Sequence, residues 1–324
     1  MVGALVAATG LVGYYRLQGR SIPIPALSLV TLCIGYATLI RANAAFSTVP
    51  LSVLMAPQRW SPLRRLGVTL VGIAAVLGLS QPINLHLLGA RDSGVRRSEP
   101  VYDLAAIVKP LFWDSLGGKP ACSQAMAALE HRPANGLYID LARAVVHHPV
   151  AYLLHRLAHL NSTSRWLVPF HWPLANPPAA SEPNDVSLGN PRCCAAIDWQ
   201  IWAAGTASET PLGWPIVWLI AAIWGLWVAA RQPQDSRRDL GIALLGSALV
   251  QELSFAAISV SSDLRYHLWP IVATALACAL LWGWPAPTRH RRIAMALLAC
   301  VILSGIIARF TLPAPPARYA DLLL

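Results

Sequence analysis

The sequence predicts an all-α membrane protein: a polytopic bundle of six to eight transmembrane helices with one extracytoplasmic lobe of about 120 residues. Composition is the first reason. Of 324 residues, 56% are apolar and 12% are charged, whereas soluble domains contain about 45–50% apolar and about 25% charged residues. This composition excludes a water-soluble enzyme. The lengths of the apolar segments and the placement of the arginines are the other two reasons.

Five apolar segments are near the length that crosses about 30 Å of hydrocarbon. They are residues 66–88, 212–230, 240–260, 268–284 and 293–308. Residues 22–40 form a sixth. Residues 1–15 and 49–56 are shorter, and the second is interpreted as a broken or re-entrant piece buried among its neighbours.

Arginines predict the orientation, because basic residues concentrate in short cytoplasmic loops. Eight crossings with an outside N-terminus place eleven arginines in four such loops. The net charge of +10 is then mostly a topology signal, so no nucleic-acid partner is expected. The predicted location is the cytoplasmic (inner) membrane, with the large loop outside. Because apolar residues follow Met1 without a charged leader, we expect the chain to be part of a longer membrane protein.

This topology divides the chain into four parts. Residues 1–90 carry the N-terminal transmembrane helices, and residues 91–211 form the extracytoplasmic, periplasmic lobe. Residues 212–310 carry the C-terminal helices, and residues 311–324 form a Pro-rich tail. An oxidising compartment allows a disulfide in the lobe between Cys122 and either Cys193 or Cys194, and the alternative without a bridge stays open.

Two polar groups are expected at the outer membrane face. Arg41 and Asn43 follow the 22–40 segment, where they either hold a phosphate or reach lipid headgroups. The connection between the 240–260 and 268–284 segments contains Asp263, Arg265, Tyr266 and His267. That group either clamps an anionic headgroup, serves acid–base chemistry, or caps the helix ends with a structural ion pair.

Glu252 lies near the middle of the predicted 240–260 span. An ionisable residue there marks a cavity or pathway, or it is a protonated structural glutamate. In the lobe, His155 and His159 are four residues apart and face one side of a helix that begins at Pro149. No H-E-x-x-H carboxylate accompanies them, so no metal site is predicted. The leucines of this helix form a stripe that rests on the membrane surface or in the lobe core.

Four short motifs resemble the C-terminal two thirds of bacterial integral membrane glycosyltransferases of the GT-C class. They are RANAAF, DLAAI, HPVAYLLHRLAHLN and SSDLRYHLWP, within residues 41–270. The resemblance implies transfer of a sugar from a polyprenyl-phosphate donor at the outer face. It matches Arg41, Asn43, Asp263, Arg265 and Tyr266 to positions that face the donor phosphate, and it places Asp103 in a lobe motif of unassigned role. The predicted donor-phosphate residues are Arg41, Asn43, Arg265, Tyr266 and His267.

In the family the catalytic carboxylate lies in the first outer loop, which has no counterpart in this sequence. Asp263 and Glu252 are therefore the candidate catalytic carboxylates. The expected partners are membrane lipids and a lipid-phosphate-linked sugar, and no cofactor is expected beyond an optional divalent cation. Two other hypotheses are a transporter or flippase-like protein in which Glu252 titrates, and a noncatalytic membrane protein remnant.

Overall fold

The described structure is entirely helical. A computed structural model describes residues 1–40, 42–56, 60–89, 95–116, 133–172, 194–260, 262–285 and 287–315. These residues form helices and turns and contain no strand, which confirms the all-α prediction. Arg41, Cys122 and Cys193 lie outside the described residues, and so does the predicted disulfide.

Twelve α-helices occur in the described residues. They are α1 (Val2–Leu17), α2 (Ile24–Ile40), α3 (Ala45–Met55), α4 (Pro62–Pro82), α5 (Val95–Leu116), α6 (Ala134–His147), α7 (Pro149–Ser164), α8 (Cys194–Glu209), α9 (Pro215–Ala230), α10 (Ser236–Ile258), α11 (Leu268–Leu280) and α12 (Thr288–Thr311). A π-helical turn, Ile83–Leu87, continues α4. Short 3₁₀ turns occupy Ala42–Ala44, Pro211–Gly213 and Leu264–Tyr266.

Three helical stretches are long and apolar enough to cross a membrane. They are α4 with its π-helical turn, α10 and α12, with 26, 23 and 24 residues. The apolar helices α1, α2, α3, α9 and α11 are shorter. Only 6% of the apolar window of α4 is buried, against 56% of that of α10. Most of the apolar side chains of α4 are therefore exposed or only partly buried, although Ile73 is buried.

The chain divides into two compact units. The first unit comprises Met1–Arg91, Pro215–Ser254 and Tyr266–Val301. The second unit comprises Asp92–Trp214, Phe255–Arg265 and Ile302–Leu324. Each unit has its own buried apolar cluster.

In the first unit, α10 lies in the core and contributes small residues that allow close helix packing. Ser247 is fully buried and donates a hydrogen bond to the Ser47 main-chain oxygen over 2.8 Å. The indole Nε1 of Trp269, which is also buried, donates to the Ser247 hydroxyl over 2.9 Å. A buried polar group is costly unless it is hydrogen-bonded, and this chain of bonds satisfies the polar side chains of both residues.

In the second unit, α5 packs against α6 and α7. Its core joins Val101, Leu104 and Ile107 of α5 to Leu137 and Leu141 of α6. These positions repeat at three and four residues along each helix, so they share one face. The packing holds α5 beside α7, and the polar residues between these two helices form the candidate site.

Candidate functional site

Helix α7 begins at a proline and ends at a residue with a left-handed backbone. Pro149 occupies the first turn, where its missing N–H costs no helical hydrogen bond. The helix ends at Arg165, whose φ of 54° is left-handed. This backbone conformation terminates a helix, and glycine usually supplies it.

Asp103 of α5 is the centre of the site. Its side chain is fully buried and accepts a hydrogen bond from His155 Nε2 over 3.1 Å. Its second oxygen forms an ion pair with Arg156. Both carboxylate oxygens are therefore bonded to neighbouring residues of α7, 52 and 53 positions along the chain.

Arg156 is almost fully buried, and its guanidinium lies near three groups with negative or partial negative charge. Besides the ion pair with Asp103, its Nη1 donates to the Ser259 main-chain oxygen over 2.7 Å. Its Nη2 lies 3.8 Å from a carboxylate oxygen of Glu99. Removing one partner of a buried ion pair leaves the other charge uncompensated, which is strongly destabilising. The pair therefore holds α5 and α7 in register.

Glu99, Tyr102 and Asp103 share one face of α5, because they are spaced by three and four residues. The Tyr102 hydroxyl and His159 Nδ1 are 2.9 Å apart, and the Tyr102 ring lies 4.7 Å from that of His155. Tyr138 donates to Glu99 over 3.1 Å. Burial raises the pKa of Glu99, and the bond from Tyr138 and the charge of Arg156 oppose that shift.

We call Glu99, Tyr102, Asp103, His155, Arg156 and His159 the Asp103 cluster. An ionised Asp103 only accepts hydrogen bonds, so the bond to His155 requires a proton on Nε2. If the imidazole is neutral, its lone pair is then on Nδ1, the nitrogen that would take a proton from a substrate. A histidine oriented by a buried carboxylate is a common arrangement for general base catalysis.

The two histidines of α7 do share a face, as their spacing predicts, but each one contacts α5. His155 bonds to Asp103 and His159 to Tyr102. Within the described ranges, no three His, Cys, Asp or Glu side chains are grouped as metal ligands would be.

The residues predicted at the outer face belong to both units. In the second unit, Arg265 Nε donates to Asp263 over 2.6 Å, and the Arg265 main-chain N–H donates to the same carboxylate over 2.8 Å. In the first unit, His267 Nδ1 lies 2.9 Å from both oxygens of Glu252, and both side chains are buried. Arg41 is outside the described residues, so its assignment to a phosphate stays a prediction.

Two further predicted residues lie in the first unit. Asn43 is in the 3₁₀ turn Ala42–Ala44 and is half-buried. The Tyr266 main-chain oxygen accepts a hydrogen bond from Gln251 over 2.9 Å. Phosphate binding by Asn43 and Tyr266 therefore stays a prediction.

The sequence analysis did not identify Glu99, Tyr102 or Arg156 as parts of a site. Two signals were present in the sequence. Arg156 lies in a leucine-rich helix, where a lone arginine needs a buried acid. The acids of α5 are spaced so that Glu99 and Asp103 face the same direction. What was missing was the pairing of α5 with α7.

The comparisons with known proteins identify no relative. No family model, curated protein or solved structure matches the chain.

Proposed function

We propose that the protein is an integral membrane enzyme that transfers a sugar from a polyprenyl-phosphate donor to an acceptor, with His155 as the general base. The proposal depends on one observation: the fully buried Asp103 carboxylate lies 3.1 Å from Nε2 of His155. With the proton on Nε2, Nδ1 is the nitrogen that would accept a proton. The resemblance noted in the sequence supplies the reaction class, and the Asp103 cluster supplies the acid–base group that this class requires.

The exposed face of helix α7 favours the proposal of a lipid-anchored substrate. Its inner face carries Arg156 and His159, which are buried. Its outer face is apolar and exposed, with exposed fractions of 57% for Leu153, 61% for Leu154 and 51% for Leu157. A helix in water has the opposite arrangement, whereas an apolar outer face is typical of a helix that lies against acyl chains.

One residue of the proposed donor-phosphate group, Arg265, follows a segment that contacts the same helix. Ser162 of α7 and Ser262 share a hydrogen bond of 2.7 Å between their hydroxyls, and Arg156 binds the Ser259 main-chain oxygen. Six residues of an α-helix span about 9 Å, so the segment before Asp263 follows α7 over that distance. Arg265 has 43% of its side chain exposed and is accessible to a ligand.

The reaction conserves atoms and electrons. The acceptor hydroxyl gives its proton to Nδ1 of His155, and its oxygen forms a bond with the anomeric carbon. The bond from that carbon to the phosphate oxygen breaks, and polyprenyl phosphate leaves with the electron pair. Arg265 stabilises the charge that develops on the phosphate. The carboxylates predicted for proton abstraction each have a partner: Asp263 is paired with Arg265, and Glu252 is paired with His267.

The proposed topology has eight crossings, formed by α1–α4 and α9–α12. This arrangement assigns all eleven loop arginines to the cytoplasm and residues 91–211 to the outer side. Reporter fusions at residues 150 and 235 should then report opposite compartments, and a common compartment would refute this topology.

A transfer assay tests the enzyme proposal. The full chain is reconstituted in liposomes with undecaprenyl phosphate carrying radiolabelled mannose, glucose, galactose or arabinose, and loss of label from the lipid fraction is measured. His155→Gln and Asp103→Asn should lower the rate by roughly 10²–10⁴-fold, the usual effect of a general base. His147→Gln, an exposed histidine at the end of α6, is the matched control. Unchanged rates in His155→Gln, or no transfer with any donor, would count against the proposal.

The Glu252–His267 pair favours a second candidate function, proton-coupled transport. Both side chains are buried in the apolar first unit, with nitrogen–oxygen distances of 2.9 Å. Such a pair within a membrane is able to exchange protons with a pathway. Proteoliposomes containing a pH-sensitive dye should then show proton flux that Glu252→Gln abolishes. Transfer activity without proton flux would favour the enzyme, and the absence of both would favour a noncatalytic protein.

A further inference from the structure

Arg165, at the end of α7, is a buried arginine whose guanidinium makes no hydrogen bond to any residue that the structure describes. The residue is 0% exposed, and Nε, Nη1 and Nη2 all lack an acceptor. Burial lowers the pKa of Arg165 to about 10, and the Glu209 carboxylate opposes this shift. Burying a cation without hydrogen-bond acceptors is among the most costly features of a protein interior.

A second buried arginine lies beside it. Arg309 of α12 donates from Nη2 to the Arg165 main-chain oxygen over 3.1 Å and from Nη1 to the Trp166 oxygen over 3.3 Å. Its guanidinium carbon lies 3.7 Å from the centre of the Trp214 ring. Trp214 is fully buried, and its indole Nε1 also lacks an acceptor within the described part of the chain.

The charges of this group do not balance. Two guanidinium groups face Glu209, the one carboxylate that contacts them among the described residues. Glu209 Oε2 lies 3.7 Å from Arg309 Nε, and Oε1 accepts from the His171 main-chain N–H over 3.0 Å. One positive charge and several N–H donors remain unsatisfied.

Two residues at this group, Arg165 and His171, have left-handed backbone conformations. Within the described part of the chain, Arg165 and His171 are the only non-glycine residues with positive φ, at 54° and 57°. Such conformations cost free energy and are concentrated at ligand and active sites. The group also reaches the surface, because 20% of the Glu209 side chain is exposed.

We propose that Arg165, Arg309 and Trp214 bind a phosphate group. The unsatisfied groups are all donors apart from one oxygen of Glu209, so the ligand must be an acceptor with negative charge. Three guanidinium nitrogens and one indole N–H need more acceptor positions than the two oxygens of a carboxylate offer, whereas a phosphate presents three or four oxygens. Arginine suits phosphate because its donors are arranged in a rigid fork.

The phosphate belongs either to a lipid headgroup or to a small ion in water. The site differs from the Asp103 cluster, because Arg165 and Arg156 are nine residues apart on α7, about 13 Å along a helix. It does not depend on the proposed sugar transfer, since it is inferred from donors that no other reaction step uses.

Thermal unfolding of the full chain with two phosphate sources tests the proposal. The first source is inorganic phosphate added to detergent-purified protein at constant ionic strength. The second is a nanodisc of phosphatidic acid mixed with phosphatidylcholine, compared with phosphatidylcholine alone. A ligand that binds only the folded state raises the melting temperature.

The key variant is Arg165→Met, which keeps a side chain of similar length and removes the charge. Without phosphate it should melt at or above the wild-type temperature, because an unpaired buried charge is gone. With phosphate it should lose at least about tenfold in affinity, the effect of one or more charge-assisted hydrogen bonds. Arg143→Gln, which removes an exposed arginine of α6, should respond as the wild type does.

Glu209→Gln provides an independent measurement. Removing the competing negative charge should tighten phosphate binding by about tenfold. A response to inorganic phosphate identifies a free ion as the ligand, and a response only to phosphatidic acid identifies a lipid headgroup. If the wild type responds to neither phosphate source, the proposal is wrong. It is also wrong if Arg165→Met melts below the wild type and Glu209→Gln lowers stability without tightening phosphate binding, because Arg165 is then a structural partner of Glu209.

Discussion

The buried pair of Asp103 and Arg156 makes Asp103→Asn the most informative single substitution. Asparagine keeps the shape of the side chain but removes the negative charge. Arg156 would retain the Ser259 main-chain oxygen at 2.7 Å and Glu99 at 3.8 Å. Its charge would otherwise be uncompensated in a position with only 6% of the side chain exposed.

The expected loss of stability follows from these contacts. Breaking a buried ion pair on one side costs about 3–5 kcal/mol. Because Glu99 offsets part of the remaining charge, we expect the lower limit, about 3 kcal/mol. With an unfolding entropy of about 2.1 cal/mol/K per residue, a chain of 324 residues shifts by roughly 1.5 °C for each kcal/mol. The apparent melting temperature should therefore fall by about 4–5 °C.

The assay is tryptophan fluorescence during heating of detergent-solubilised protein at one fixed scan rate, because irreversible unfolding makes the transition depend on rate. Asp198→Asn, an exposed acid of α8, is the control and should shift the transition by less than about 2 °C. The double variant Asp103→Asn with Arg156→Gln should lose less stability than the sum of the single variants. A fall below about 2 °C in Asp103→Asn, or strict additivity in the double variant, would refute the role assigned to this pair.

Three further predictions concern the second unit. Burial raises the pKa of Glu99 from 4.5 in the folded state. Between the unfolded and folded pKa values the folded state binds more protons, so wild-type stability falls as pH rises through that window. Melting temperatures measured from pH 4 to 7 should therefore vary less with pH in Glu99→Gln. A Cβ at Gly213 would lie 1.9 Å from a main-chain oxygen, so Gly213→Ala should destabilise the protein by about 1–3 kcal/mol or more. At Gly136, within a helix, the nearest atom to a Cβ is 3.8 Å away, so Gly136→Ala should stabilise the protein by roughly 0.5–1 kcal/mol. Equal shifts of the melting temperature in the two variants would contradict this packing. A spin label at Leu154→Cys in nanodiscs should be relaxed more by oxygen than by a water-soluble nickel complex, with the reverse at Arg143→Cys, and stronger relaxation by nickel at 154 would exclude contact with lipid.

The apolar helices could be predicted because hydropathy is a property of neighbouring residues. All eight apolar segments of the sequence coincide with helices, including the short piece around residue 50. Proline at the start of α7 and the shared face of His155 and His159 were predictable for the same reason, since both depend on local spacing.

The candidate site could be predicted only in part. The resemblance assigned no role to Asp103, and the spacing of the histidines suggested a ligand face without a partner. The carboxylate that binds His155 lies 52 residues earlier in the chain. No periodicity within α5 or α7 reveals that these helices pack together.

The outward direction of the α7 leucines was also left open, since a leucine stripe packs equally well into a core or against lipid. The structure leaves Leu153, Leu154 and Leu157 exposed, because the opposite face of α7 carries the buried Arg156 and its partner Asp103. A buried ion pair needs its partners within a few ångströms, and that distance depends on how the chain folds. Residue order is enough to predict which segments form apolar helices, but the partner of each buried charge follows from packing between distant segments.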